Sequence, residues 1–188
     1  MRTEKEMIDL ITRTALEDPR IRAAYLEGSR ANPKVPRDIF QDYDVEYIVE
    51  DTRPFREDKQ WIDRFGERLY MQYPEEGVLY QDADVENWYG WLIQFTDGNR
   101  MDLHVGTAER AGKNLELYRV LVDKDGLFAK KEESSDERYW IRRPGEREYL
   151  DVCNEFWWCL NNVAKGLWRG EIPYVMDMID DPVRPMLK

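Results

Sequence analysis

Two aspartates, Asp42 and Asp44, are separated by a single residue in the stretch FQDYDVEYIV, and a third, Asp102, stands between apolar neighbours in Met101-Asp102-Leu103. In an extended strand, residues i and i+2 project to the same side with Cα atoms ~7 Å apart. Asp42 and Asp44 therefore present two carboxylates on one face. Unpartnered, they repel; with a hard divalent cation such as Mg²⁺ between them they become ligands. Two-metal phosphoryl-transfer sites hold their ions ~4 Å apart and need a shared carboxylate with a further one close by. Asp102 is the candidate for that third ligand. A solvated strand face would account for the pair equally well, so the pair alone does not decide.

The stretch upstream shifts the balance. Gly28-Ser29 closes an apolar segment and is followed by Arg30. A Gly-Ser turn at a strand end can offer backbone N–H groups and a hydroxyl to phosphate, and Arg30 adds a cation beside it. Taken alone, an ordinary tight turn reads the same way. The G-x-x-x-x-G-K-[ST] phosphate loop is absent. The order of parts is strand, Gly-Ser, loop, D-x-D, then a lone Asp on a later strand. That is the layout of nucleotidyltransferases of the DNA polymerase β type.

Elements must hold these residues in place. Thr3 and Glu6 form a capping-box pair ahead of Met7, Leu10, Ile11 and Ala15, which predicts a helix over 3–17 stopped by Asp18-Pro19. Residues 21–27 read as a short buried strand ended by Gly28, and 32–37, with two prolines, as loop. The alternation around Tyr43, Val45, Tyr47 and Val49 predicts the strand that carries the acidic pair. Trp61, Ile62, Phe65 and Leu69 predict a second helix. Residues 88–95 predict a strand, 96–99 (Thr-Asp-Gly-Asn) a hairpin turn, and 100–105 its antiparallel partner. Val120 to Val122 suggest another short strand.

After Lys130 the composition shifts. KKEESSDER (130–138) reads as a charged linker or exposed loop. Beyond it, Tyr149, Val152, Cys153, Phe156, Leu160, Val163, Ala164 and Leu167 share one helical face, Gly166 or Gly170 closes that helix, and Pro173 suits the first turn of the next. The expected fold class is α+β: a domain over 1–135 with a mixed sheet and flanking helices, followed over 136–188 by a partial helical bundle. Two helices bury little, so the second part is expected to be truncated or to rely on a partner.

The chain has 188 residues, 42% of them hydrophobic, with seven Trp and eleven Tyr. That supply of core side chains excludes general disorder. A net charge of −11 argues against nucleic-acid binding and favours a polycationic small molecule. No apolar leader or membrane-length run is present, so a soluble, cytoplasmic protein with no membrane partner is expected. Cys153 and Cys159 lie six residues apart in a helical stretch, ~9 Å along the axis and too far for a disulfide. With His104 the single histidine, a Ser-His-Asp triad could form only around it.

GSRAN (28–32), DYDVEYIV (42–49), FTDGNRMDL (95–103) and NEFWWCLNNVAKGLWRGEIPY (154–174) together resemble the aminoglycoside 6-adenylyltransferase family, the streptomycin-modifying enzymes. The resemblance runs over nearly the whole chain; the stretch after Asp102, HVGTAERAGKN, departs from it. It implies a polymerase β-like domain with a helical bundle, and transfer of AMP from Mg²⁺-ATP to an aminoglycoside hydroxyl, an antibiotic-resistance activity. It also implies Asp42, Asp44 and Asp102 as the catalytic metal carboxylates and Gly28, Ser29 and Arg30 as holders of the nucleotide's phosphates. Asp102 is the first candidate for general base and Glu155 the second. Transfer to a protein or RNA acceptor, or an idle nucleotide-binding module, are the competing readings.

The helix around Asn154 suggests where a cationic acceptor would be held. Asn154, Trp158, Asn161 and Lys165 lie opposite the apolar stripe, with Glu155 on the flank. An exposed indole beside amides and a carboxylate suits a sugar-like cation. Trp158 packed against further bundle helices is the equal alternative. Glu155 and Trp158 are thus the expected substrate-binding pair, on the far wall of a cleft between the two parts.

Overall fold

The computed structural model describes residues 1–78, 82–113, 117–128, 135–137 and 140–187. The chain divides into two compact units, Met1–Tyr139 and Trp140–Lys188. Most of the expected 130–138 linker lies outside the described residues.

The first unit is a six-stranded mixed sheet backed by helices. Helix α1 (Glu4–Glu17) begins at the capping box, where Thr3 Oγ1 accepts from the Glu6 amide and the Glu6 carboxylate from the Thr3 amide; two short helices, α2 (Gly28–Ala31) and α3 (Arg53–Glu57), follow in the chain. Strands β1 (Ile21–Leu26), β2 (Tyr43–Val49), β3 (Arg68–Gln72), β4 (Trp88–Phe95), β5 (Arg100–Thr107) and β6 (Arg119–Asp123) stand in the order β3-β4-β5-β2-β1-β6. Only β2 and β5 run parallel; the other pairs are antiparallel. The β4–β5 turn is the expected one, with Gly98 at φ 90° and its amide bonded to the Phe95 carbonyl.

The two faces of the sheet differ. Tyr43, Val45, Tyr47 and Val49 from β2 and Met101, Leu103 and Val105 from β5 enter the main core with Met7, Ile11, Phe55, Trp61 and Phe65. The alternate positions, Asp44 and Glu46 on β2 and Asp102 and His104 on β5, must then face the other way. Part of that second face is closed by a smaller cluster of Ala23, Tyr25, Ile48 and Ala111, with α4 (Ala108–Lys113) against it. The rest is polar.

One expected element is different. The stretch read as a second helix is a short 3₁₀ turn, Trp61–Phe65, and Leu69 lies in β3 with two-thirds of its surface exposed. Gly66 at φ 119° ends the turn. Trp61, Ile62 and Phe65 are buried as the periodicity implied. Leu69 does not belong to their series.

In the second unit, α5 (Glu146–Arg169) ends at Gly170, left-handed at φ 72°, and α6 (Ile172–Met178) carries Pro173 in its first turn. The covered strip of α5 is Cys159, Val163 and Gly166, with Phe156 and Leu160 partly covered, against Val175 and Val183. The expected stripe is therefore rotated: Tyr149 and Leu167 are exposed, and Cys159 is buried. A Cβ on Gly166 would meet Val175 Cγ2 at 2.7 Å, so α6 packs where α5 has no side chain. Cys153 and Cys159 are free thiols. Trp61 and Trp91 are core residues of the first unit, whereas Trp140, Trp157, Trp158 and Trp168 of the second are exposed. No helix among the described residues is long and apolar enough to cross a membrane.

Candidate active site

The parallel pairing of β2 with β5 sets Asp44 directly opposite Asp102. Asp42 sits just before β2, on the same side as Asp44. Ligand oxygens of Asp42, Asp44 and Asp102 lie within 4.8 Å of one another, the single such cluster of metal-ligating groups among the described residues. Each carboxylate is partly buried. Their flanking residues, Tyr43, Met101 and Leu103, are at most 1% exposed. Core packing on one face thus fixes the charges on the other.

The Gly28 turn lies against this cluster. The Glu27 amide donates to the Asp44 carbonyl at 3.0 Å, bringing the end of β1 alongside. Gly28 then takes φ 63° and opens a four-residue helix, α2 (Gly28–Ala31). A Cβ on Gly28 would stand 2.0 Å from Asp44 Oδ2. Only glycine leaves room for that carboxylate, and it also tolerates the left-handed backbone. Gly28 and Ser29 form one wall of a recess of about 360 Å³ that Asn32, Val35, Leu117 and Asp136 complete. Ser29 itself is half-buried.

Arg30 is enclosed beside the cluster. Its guanidinium is buried, donating to the Asp42 and Gln41 carbonyls at 2.7 Å each and to Glu4 Oε2 at 3.1 Å. It also stacks 3.9 Å over the Tyr43 ring. Through these three bonds Arg30 anchors the backbone that carries Asp42 and ties it to α1.

A second arginine, unremarked in the sequence, faces the acids. Arg100 Nε and Nη2 donate to the two oxygens of Asp102 at 3.2 and 2.6 Å, and Nε is 3.6 Å from Asp42 Oδ2. Its spacing from Asp102, i and i+2 at the head of β5, was the available signal.

Behind the aspartates the alternation continues inward. Glu46 pairs in register with His104, and His104 Nδ1 is 3.3 Å from Glu46 Oε1. Burial pushes the Glu46 carboxyl up, against the His104 bond that lowers it. Burial lowers His104, but the bond to Glu46 and the charges of Glu46, Glu75 and Asp102 outweigh it, for a net rise. The ring stacks on Trp88 with centroids 4.9 Å apart. A Cβ on Gly90 would stand 2.2 Å from His104 Cδ2, so glycine again makes the space.

The cluster is short of positive charge. Burial, then Asp42, Asp102 and Glu46, push the Asp44 carboxyl up to about 6, with Arg100 opposing. A carboxyl so raised destabilises the fold when ionised: the penalty is complete above pH 6 and fades as pH falls toward the unfolded value near 4. In EDTA, Asp44→Asn is therefore expected to stabilise the protein at pH 8 by roughly 1–2 kcal/mol after solvent screening. That advantage should vanish near pH 4.5, as followed by urea unfolding across pH. Equal stability of the two proteins at pH 8 would refute the charge deficit. Three hard oxygen donors that face a single arginine and are cradled by a glycine suit a divalent cation.

Glu155 and Trp158 lie apart from these residues in sequence, on α5. Trp158 is 71% exposed and Glu155 is also exposed. The Glu155 carboxylate accepts a weak bond from Cys159 Sγ at 3.4 Å. Both side chains present polar or aromatic surface to solvent.

Comparison with known proteins agrees on one family. The family model described as "Streptomycin adenylyltransferase" matches residues 1–188. A curated protein named "Aminoglycoside 6-adenylyltransferase" from Bacillus subtilis (strain 168) is 44% identical over 191 residues, covering all of this chain and 67% of its own length. Proteins of the same name from Staphylococcus aureus and Campylobacter jejuni are 37% and 40% identical, over 67% and 65% of their lengths. The crystal structure of an aminoglycoside 6-adenyltransferase from Bacillus subtilis is similar, with a TM-score of 0.55 and 39% identity, over all of this chain and 65% of that one. The chain thus spans about two thirds of the length of these relatives.

Proposed function

Because the chain belongs to the streptomycin adenylyltransferase family, we infer that it transfers AMP from ATP to a hydroxyl of a cationic, streptomycin-like aminoglycoside, with Mg²⁺ as cofactor. Such activity in the cytoplasm would inactivate the antibiotic. The observation that carries this reading is the convergence of Asp42, Asp44 and Asp102 beside the Gly28 turn, in a chain whose relatives bear the name aminoglycoside 6-adenylyltransferase.

The chemistry is an in-line displacement. The acceptor oxygen bonds to the α-phosphorus, the bond from that phosphorus to the bridging oxygen breaks, and pyrophosphate leaves. When bound, Mg²⁺ offsets charge on the transferring and leaving oxygens. Asp42, Asp44 and Asp102 hold the cation, and Asp102, the nearest of them to the β4 side, is the first candidate to take the hydroxyl proton. Glu155 remains the second. Gly28 and Ser29 receive the phosphates at the recess they line, while Arg30 keeps the Asp42 backbone in place. The net charge of −11 draws in the polycation, and Glu155 and Trp158 are the exposed side chains of the second unit suited to contact it.

The test is product analysis. Incubated with ATP, Mg²⁺ and a panel of aminoglycosides, the chain should release pyrophosphate and add one AMP to streptomycin or a close analogue, seen by mass spectrometry. No adduct with any aminoglycoside would overturn the reading. Ser29→Ala should raise KM for ATP about tenfold, the value of one bond to a charged group, with KM for the aminoglycoside little changed. The opposite order would assign the turn to the acceptor.

A further inference from the structure

We propose that Arg100 is a built-in counter-ion of the acidic cluster, holding the three aspartates together until a divalent cation replaces it. The proposal rests on the reading that the cluster takes such a cation.

The geometry is that of a surrogate. Arg100 bonds both oxygens of Asp102, at 3.2 and 2.6 Å, and approaches Asp42 at 3.6 Å, so one planar cation spans two of the three acids. Both Asp102 oxygens face a guanidinium fork, and a cation seated among the three carboxylates needs at least one of them at ~2.1 Å. A cation on those oxygens would stand close to the guanidinium, and the repulsion of the two positive charges drives the fork open.

The two arginines of this region differ in whether they can leave. Arg30 has a side chain 8% exposed and is bonded to two carbonyls, with no room to move. The Arg100 side chain is 53% exposed, and its guanidinium bonds Asp102 and approaches Asp42, both candidate metal ligands. It has somewhere to go. Beside it lies a recess of about 300 Å³ that it lines together with Tyr70, Gln72, Leu92 and Gln94. Gln94 pairs in register with both Arg100 and Tyr70, so their side chains share this face of the sheet. A released guanidinium would thus lie next to Asp102 on the side away from Gly28. An exchangeable arginine keeps like charges from splaying the strands while the site is empty, and it makes cation affinity weaker than the carboxylates alone would give.

The experiment uses the whole chain without nucleotide. Mn²⁺ affinity is measured by calorimetry, and thermal unfolding with EDTA and with Mn²⁺, for wild type, Arg100→Gln and Arg100→Lys. Arg100→Gln should bind Mn²⁺ about tenfold tighter, since a competing charge at hydrogen-bond distance is gone. It should melt lower than wild type in EDTA and gain more from Mn²⁺. Arg100→Lys, which keeps the charge without the fork, should fall between. Unchanged or weaker Mn²⁺ binding in Arg100→Gln overturns the proposal, as does absence of Mn²⁺ binding by all three proteins. Should Arg100→Gln fail to fold, wild-type affinity in Arg100→Lys overturns it. AMP transfer by wild type is scored separately. Transfer with no change in Mn²⁺ affinity defeats the counter-ion alone, and tightened Mn²⁺ binding without transfer defeats the activity alone.

Discussion

Asp44→Asn is expected to lower AMP transfer about a thousandfold, the scale on which losing a preorganised charge at a reacting centre is felt. The fold should persist. Asp44 faces away from the core, and its neighbours Tyr43 and Val45, which do the packing, are untouched. An amide offers a single weak ligand oxygen and no charge, so the cation would be held by Asp42 and Asp102 alone. The signature is a pair of opposite results: activity collapses while the metal-free protein becomes more stable at pH 8. Near-normal turnover of Asp44→Asn, with its circular dichroism unchanged, would remove Asp44 from the reaction.

Gly28→Ala should do damage of similar kind with no change in charge. The added methyl would stand 2.0 Å from Asp44 Oδ2, and the backbone there is at φ 63°. The conformation alone costs about 1 kcal/mol for a residue with a Cβ. The overlap must be relieved by moving the carboxylate or the turn. Either movement breaks the three-acid constellation, and a displacement near 1 Å at such a site costs about a hundredfold in turnover. Turnover of Gly28→Ala is thus expected to fall about a hundredfold, with a modest fall in melting temperature. Combining it with Asp44→Asn should add little to the loss from Asp44→Asn alone, because both act on one carboxylate. Full additivity in that double variant would mean that Gly28 acts elsewhere.

Much of this was legible in the sequence because period-2 alternation reports faces directly. Asp42 and Asp44 could be set on one side of a strand from spacing alone, and Asp102 singled out by its apolar neighbours. What spacing could not supply was the pairing of β2 with β5. That parallel contact joins segments with two strands between them in sequence, and no local signal encodes it. The surroundings of Arg30 were out of reach for a related reason. A cation next to a Gly-Ser turn looks available for phosphate, and only the tertiary structure shows its donors taken by Asp42, Gln41 and Glu4. Glu46 and His104 continue the same alternation as the aspartates and could have been noticed. The 61–69 stretch misled because a 3₁₀ turn followed by a strand places apolar residues at spacings that imitate a helix. On α5 the periodicity was sound, but which arc is covered depends on where α6 packs, and Gly166 rather than a large residue marks that place.

The register of Asp44 against Asp102 also sets when the site can come into being. The chain emerges in order, so the D-x-D pair and the Gly-Ser turn are made long before their third partner. Until Arg100–Thr107 has been synthesised and has slotted in alongside β2, the growing chain holds two thirds of a constellation. A one-residue slip in that slotting would turn Asp102 into the core and Met101 out of it. Burial of Met101, Leu103 and Val105 thus proofreads the alignment of the three acids.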